Sequence, residues 1–128
     1  MTVSAIDRKG KDDAHLHLAD FIDFAHLERY TMGEPGLTDE LLNLFCQQLR
    51  AWPEKHADER AEREELHRLK GSARAIGAFP LAEAAAWLEK LLQAGAPESE
   101  LHDARAELRE QLDGLKDACR RWKQANHC

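Results

Sequence analysis

The chain has 128 residues, 43% of them hydrophobic, 33% charged and only eight aromatic (4 Phe, 3 Trp, 1 Tyr). That is the size of one domain with one core, and the composition suits helices with solvated faces better than a β-sandwich. Eighteen Lys+Arg against 24 Asp+Glu leave a formal charge of −6, which argues against nucleic acid or an anionic membrane surface as the main partner.

No window approaches the ~18 uninterrupted apolar residues of a membrane span, and no apolar signal segment follows Met1, so a soluble, cytoplasmic protein is expected. Cys46, Cys119 and Cys128 form no C-x-x-C pair and are expected as reduced thiols, the first two as small core residues.

Residues 1–13 are polar and aperiodic, with charges at Asp7, Arg8, Lys9, Lys11, Asp12 and Asp13. They read as a disordered lead-in to a single domain spanning 14–128. From His15 to Tyr30, Leu16, Phe21, Phe24 and Leu27 give a short helical pattern, in which Asp23 can cap a last segment that ends near Gly33. Gly33-Glu-Pro-Gly36 is a turn by composition, and Thr38 is the N-cap candidate for a helix over Asp39 to about Ala51, stopped by Pro53. Leu41, Leu42, Phe45 and Leu49 form its apolar arc, with Leu44 and Trp52 at the edges.

The next helix is expected from near Ala57 to Ile76, with Leu66, Leu69, Ala73 and Ile76 as its buried stripe. Gly77 ends it, and Pro80 opens the following helix after a very short connection, so the two are antiparallel neighbours. That fourth helix carries Leu81, Ala84, Ala85, Leu88, Leu91 and Leu92 and is broken by Gly95-Ala-Pro97. Leu101, Ala104, Leu108, Leu112, Leu115, Cys119 and Trp122 then mark a long last helix in steps of three and four. The expected fold is all-α: an antiparallel four-helix bundle with a short additional N-terminal helix.

At about 100° per residue, the stripe of the third helix leaves Arg63, His67, Lys70, Gly71 and Arg74 on its opposite half. His67 therefore faces solvent, with Lys70 beside it and no side chain one turn on at Gly71. Glycine inside a helix costs about 1 kcal/mol relative to alanine, so close access by something else is a reason to keep it. An exposed neutral imidazole next to a cation suits a nucleophile that accepts a phosphoryl group and surrenders it, with Arg63 and Arg74 extending the positive field. The same spacing also fits an ordinary exposed histidine in a charge-rich helix, with Gly71 kept for packing.

The run His67-Arg-Leu-Lys-Gly-Ser-Ala-Arg-Ala-Ile-Gly-Ala78 closely resembles the H-x-L-K-G-S-[SA]-x-x-[LIV]-G-A signature of histidine-containing phosphotransfer (HPt) domains. The likeness continues through Leu81, Ala84 and Ala85 to Leu88 and Glu89, and upstream to Ile22–Leu27 and Glu40–Phe45, covering most of residues 22–95. The last helix agrees only in general character. The resemblance implies that His67 is the phosphoacceptor, that Lys70 stabilises the phosphate charge, and that Gly71 clears space for a docking receiver domain. Glu89 stands about where a polar residue of such domains bonds the active imidazole, though a solvated surface acid fits that position equally. Leu41, Leu42 and Phe45, with Arg63 and Arg74, are the candidate docking residues; each of the apolar three also fits a core position.

The implied function is a shuttle between receiver-domain aspartates of a hybrid sensor kinase and a response regulator. It would have no cofactor of its own, Mg²⁺ on the partner receiver, and a monomeric state. With no glycine-rich nucleotide loop and too little length for a kinase core, the chain is not expected to phosphorylate itself from ATP. A chain that starts at Met1 and ends after its last helix suits a freestanding shuttle. The alternatives are a chemotaxis-kinase-like phosphoacceptor fed by a kinase and a non-catalytic receiver-docking bundle. A di-iron bundle has only one E-x-x-H motif, Glu64 to His67, whose histidine points away from the apolar stripe.

Overall fold

The computed structural model describes residues 17–127, with side chains through Ala125. The 1–13 segment, His15, Leu16 and Cys128 lie outside these described residues. A helical turn at 17–19 precedes a break, and α1 runs Phe24–Thr31. The pattern beginning at His15 is split because Asp23 adopts an extended N-cap conformation and accepts a hydrogen bond from the His26 N–H at 3.1 Å.

Helix α2 spans Pro35–Arg50, one turn longer than the expected start at Asp39. Pro35 takes the first helical position, where its missing N–H and fixed φ cost nothing, and the N-cap is Glu34. Thr38 therefore lies inside the helix, its hydroxyl donating to the Glu34 carbonyl at 3.1 Å and 2.9 Å from the hydroxyl of the buried Thr31.

Helix α3 covers Glu59–Ile76, N-capped by the Asp58 carboxylate, which accepts from the Ala61 N–H at 2.8 Å. It ends at Gly77 in the left-handed conformation (φ 91°), which lets the Ala78 N–H reach back to the Ala73 carbonyl at 2.8 Å. Helix α4 follows at Phe79–Gln93 with Pro80 in its first turn, and α5 runs Glu98–His127, about 45 Å of helix.

Helices α2, α3, α4 and α5 contact one another in a closed ring, while α1 packs on α2 and α3. The described elements are all α-helical, in agreement with the expected class. The four apolar stripes meet as one core that includes Leu42, Leu49, Leu66, Leu69, Leu81, Leu88, Leu112 and Leu115, each with 1% exposure or less. Each such leucine contributes about 1.5–3 kcal/mol by burial. A buried Glu62 carboxylate ties α3 to α5 through two 2.9 Å bonds from Arg105.

Two further contacts fasten α5 to earlier segments, and the second overturns a sequence expectation. Gly114 in the middle of α5 lies against the Phe21 ring, which a β-carbon there would approach to 2.6 Å. Cys46 and Cys119 are joined as a disulfide between α2 and α5, and so are not the reduced thiols expected. Their positions on facing apolar stripes bring the Cα atoms to 5.9 Å, inside the range a disulfide spans. Closing a separation of 73 residues lowers the entropy of the unfolded chain by an amount worth about 4 kcal/mol in the chain-entropy account.

Candidate functional site

The α3–α4 hairpin builds the site. Because only Gly77 and Ala78 separate the two helices, they fold back on one another, and residues equidistant from the turn face each other. His67 and Glu89 are such a pair, eleven residues either side of Ala78. The turn is held from outside: the Asp23 N–H donates to the Gly77 carbonyl at 2.9 Å, His26 Nε2 lies 3.2 Å from the Ala75 carbonyl, and the His26 ring stands edge-on to Phe79.

The His67 side chain is 71% exposed. Its Nδ1 is 3.2 Å from Glu89 Oε2, and Glu89 Oε1 accepts from Lys70 Nζ at 2.7 Å. Glu89 is 8% exposed, so it is a buried acid and not a solvated one. Burial alone raises its pKa, but the hydrogen bond and charge of Lys70, together with His67, outweigh that and hold the group below the usual carboxylate value. An ionised carboxylate only accepts, so Nδ1 carries the proton in this contact. The neutral imidazole is thereby held in the tautomer whose Nε2 lone pair is available.

Lys70 occupies a different place from the open cationic position expected of it. Its side chain is only 19% exposed and is paired to Glu89, one bond removed from His67. A β-carbon at Gly71 would meet nothing within 4 Å, so the surface one turn beyond His67 is clear. Arg74 is exposed, whereas Arg63 is half-buried with its Nε enclosed and unpartnered among the described residues, a correction to its expected solvent-facing position. Glu64 and His67 both lie on the exposed side of α3, away from the bundle interior.

Of the apolar residues singled out on α2, Leu42 and Phe45 are core, at 1% and 4% exposure, and only Leu41 is half-open. The stripe of α2 turns further inward than its phase alone suggests because the helix packs on both α3 and α5. The exposed Leu44 and Tyr30 instead line a groove of about 200 Å³ with Leu41, Ser72 and Ala75, immediately past Gly71. Tyr30 carried no sequence signal, since its exposure depends on how α1 leans on the hairpin.

No helix among the described residues is long and apolar enough to cross a membrane. No curated protein and no solved structure matches the chain. Among family models, that of the Hpt domain matches residues 37–121. The match takes in the helix bearing His67, the helix bearing Glu89 and nearly all of α2 in one span, and on it the chain belongs to the Hpt domain family, the histidine phosphotransfer domains of phosphorelay signalling.

Proposed function

We propose that this protein is a phosphorelay intermediate that shuttles a phosphoryl group between receiver-domain aspartates in a multistep two-component pathway, through phosphohistidine at His67. The observation that carries this reading is the exposed imidazole held at Nδ1 by Glu89, with Nε2 left toward solvent. In the transfer, the Nε2 lone pair forms a bond to phosphorus while the bond from phosphorus to the aspartate oxygen breaks. The aspartate leaves as a carboxylate, and the Nδ1 proton stays in its bond to Glu89, which offsets the positive charge gained by the ring. Lys70, paired to the same carboxylate, is the cation this reading assigns to the new phosphoryl oxygens.

The partner is a receiver domain that brings its own Mg²⁺, and this chain contributes no cofactor. The Tyr30–Leu44 groove beside Gly71 supplies an apolar contact surface next to the reacting nitrogen. The protein acts in the cytoplasm as a monomer, without kinase activity of its own.

The test is transfer of radioactive phosphate from a phosphorylated receiver domain to wild type and to His67→Ala, scored as acid-labile, base-stable label. Label in wild type alone is the expected result. Label in both moves the acceptor elsewhere. Label in neither, from several competent receivers but from a histidine kinase instead, supports the kinase-fed alternative; label from no donor leaves a receiver-docking bundle.

A further inference from the structure

The α2–α5 face carries a second cavity, of about 460 Å³, that the phosphotransfer site does not use. The Cys46–Cys119 disulfide lines it, together with Arg50, Lys116, Arg120 and Lys123. Asp117 is the one carboxylate among its lining residues, and it is engaged by Arg120 and Arg121. Arg50, Lys116 and Lys123 thus face the cavity with no carboxylate partner among the described residues. On a chain of formal charge −6 this is a local reversal of sign. The dipole of α5 favours bases only in its last turn, and Lys116 lies about three turns before the end of the helix.

We propose that the Cys46–Cys119 bond is exchangeable, and that the cationic groove over it receives small anionic thiols that reduce it. Cations beside a disulfide act twice: they concentrate an anionic thiolate, and they stabilise the cysteine thiolate that leaves. Both cysteines are buried and both line the cavity, and the proposal takes Cys119 Sγ as the sulfur attacked. The walls of the cavity include long, flexible Lys and Arg side chains, whose movement widens access to the bond.

The incoming thiolate forms a bond to Cys119 Sγ, the bond between Cys119 and Cys46 breaks, and Cys46 leaves as a thiolate. A second thiolate then attacks the sulfur of the bound small molecule, releasing Cys119 as a thiolate and the small thiol as its disulfide. Two thiols supply the two electrons, and each cysteine takes its proton from solvent. Because Cys46 adjoins Phe45, which lines the apolar groove on the other flank of α2, the exchange acts on the helix that carries the docking surface.

The experiment uses the oxidised full-length chain with Cys128 alkylated beforehand. Appearance of thiols at Cys46 and Cys119 is followed by mass after alkylation, with reduced glutathione as the anionic reductant and β-mercaptoethanol as the neutral one, at equal thiolate concentration. At low salt the anionic thiol is expected to be faster by about 5-fold or more, relative to the same ratio on an unstructured disulfide peptide, and the advantage to vanish near 0.5 M salt. Lys116→Glu with Lys123→Glu should remove it at low salt too, and the salt series on the wild-type chain decides the matter if that variant does not fold. Equal rates for both thiols at every salt concentration, reduction that occurs only in denaturant, or failure of the two cysteines to pair under oxidation would each overturn the proposal.

Discussion

Glu89 bonds His67 Nδ1 with one carboxylate oxygen, at 3.2 Å, and with the other accepts from Lys70 at 2.7 Å. One buried side chain therefore sets both the tautomer of the imidazole and the partner of the nearest cation. The triad links two helices at a level fixed by the short turn between them, and its consequences can be measured separately.

Acid stability is the first. Because the Glu89 pKa is lowered in the folded chain, its contribution to stability is fully present above the ordinary carboxylate range and is lost as pH falls through the lowered value. Unfolding free energies of wild type and Glu89→Gln, measured by denaturant titration between about pH 7 and pH 3, should differ most at the neutral end and converge toward the acid end. A pH-independent difference would remove the charge from this account.

Lys70→Ala should still accept phosphate on His67, since the nucleophile is untouched. Transfer from a receiver should slow by about tenfold, the scale of one charge-assisted hydrogen bond, while substrate-independent properties such as helicity stay constant. Stopped transfer time courses would show it, and an unchanged rate would confine Lys70 to a structural pairing with Glu89.

Gly71→Leu separates docking from folding. The added side chain meets open space, so the helix should gain up to about 1 kcal/mol in stability by propensity. Receiver transfer should nevertheless fall by an order of magnitude or more, because the side chain occupies the ground a partner must cover. Equal transfer by this variant would show that partners approach from another direction.

Leu44→Asp, at a residue 54% exposed, is expected to leave the melting temperature within a few degrees of wild type and to weaken transfer by raising the receiver concentration needed for half-maximal rate. Leu42→Asp, in the core, should unfold the protein instead. The contrast tells docking surface from core on a single helix.

Gly77→Ala probes the hinge of the hairpin. Alanine there must adopt φ near 91° and place its β-carbon 2.8 Å from the Asp23 carbonyl oxygen. A loss of about 2 kcal/mol or more, seen as a fall in melting temperature of roughly 5–10 °C, is expected by thermal denaturation.

The α3–α4 hairpin was legible because every signal on it agrees: the stripe from Leu66 to Ile76, Gly77 at the stop, Pro80 at the restart, and the phosphotransfer signature on the outer face. The long stripe of α5 was legible for the same reason. What escaped depends on contacts between segments distant in sequence. The start of α2 is ambiguous in the sequence because Thr38 offers a good local cap while Pro35 offers an equally good first turn, and the local pattern does not rank them. Helical phase gave Leu42 and Phe45 one apolar face but not that two neighbouring helices cover it, and it left Leu44 and Tyr30 without a role. The pairing of Cys46 with Cys119, and the fit of Phe21 against Gly114, arise only where α5 closes on the earlier helices.

The Lys70–Glu89 pair also bears on the energetics of relay. An uncommitted lysine would offer an arriving phosphoryl group the whole of its attraction and make the histidine a thermodynamic sink. Here the lysine already has an anionic neighbour, so moving toward phosphate exchanges one favourable contact for another and the net gain is their difference. If His67 is loaded as proposed, the phosphoryl group gains from Lys70 only what Glu89 gives up, which holds the loaded and unloaded forms closer in free energy than an unpaired lysine would.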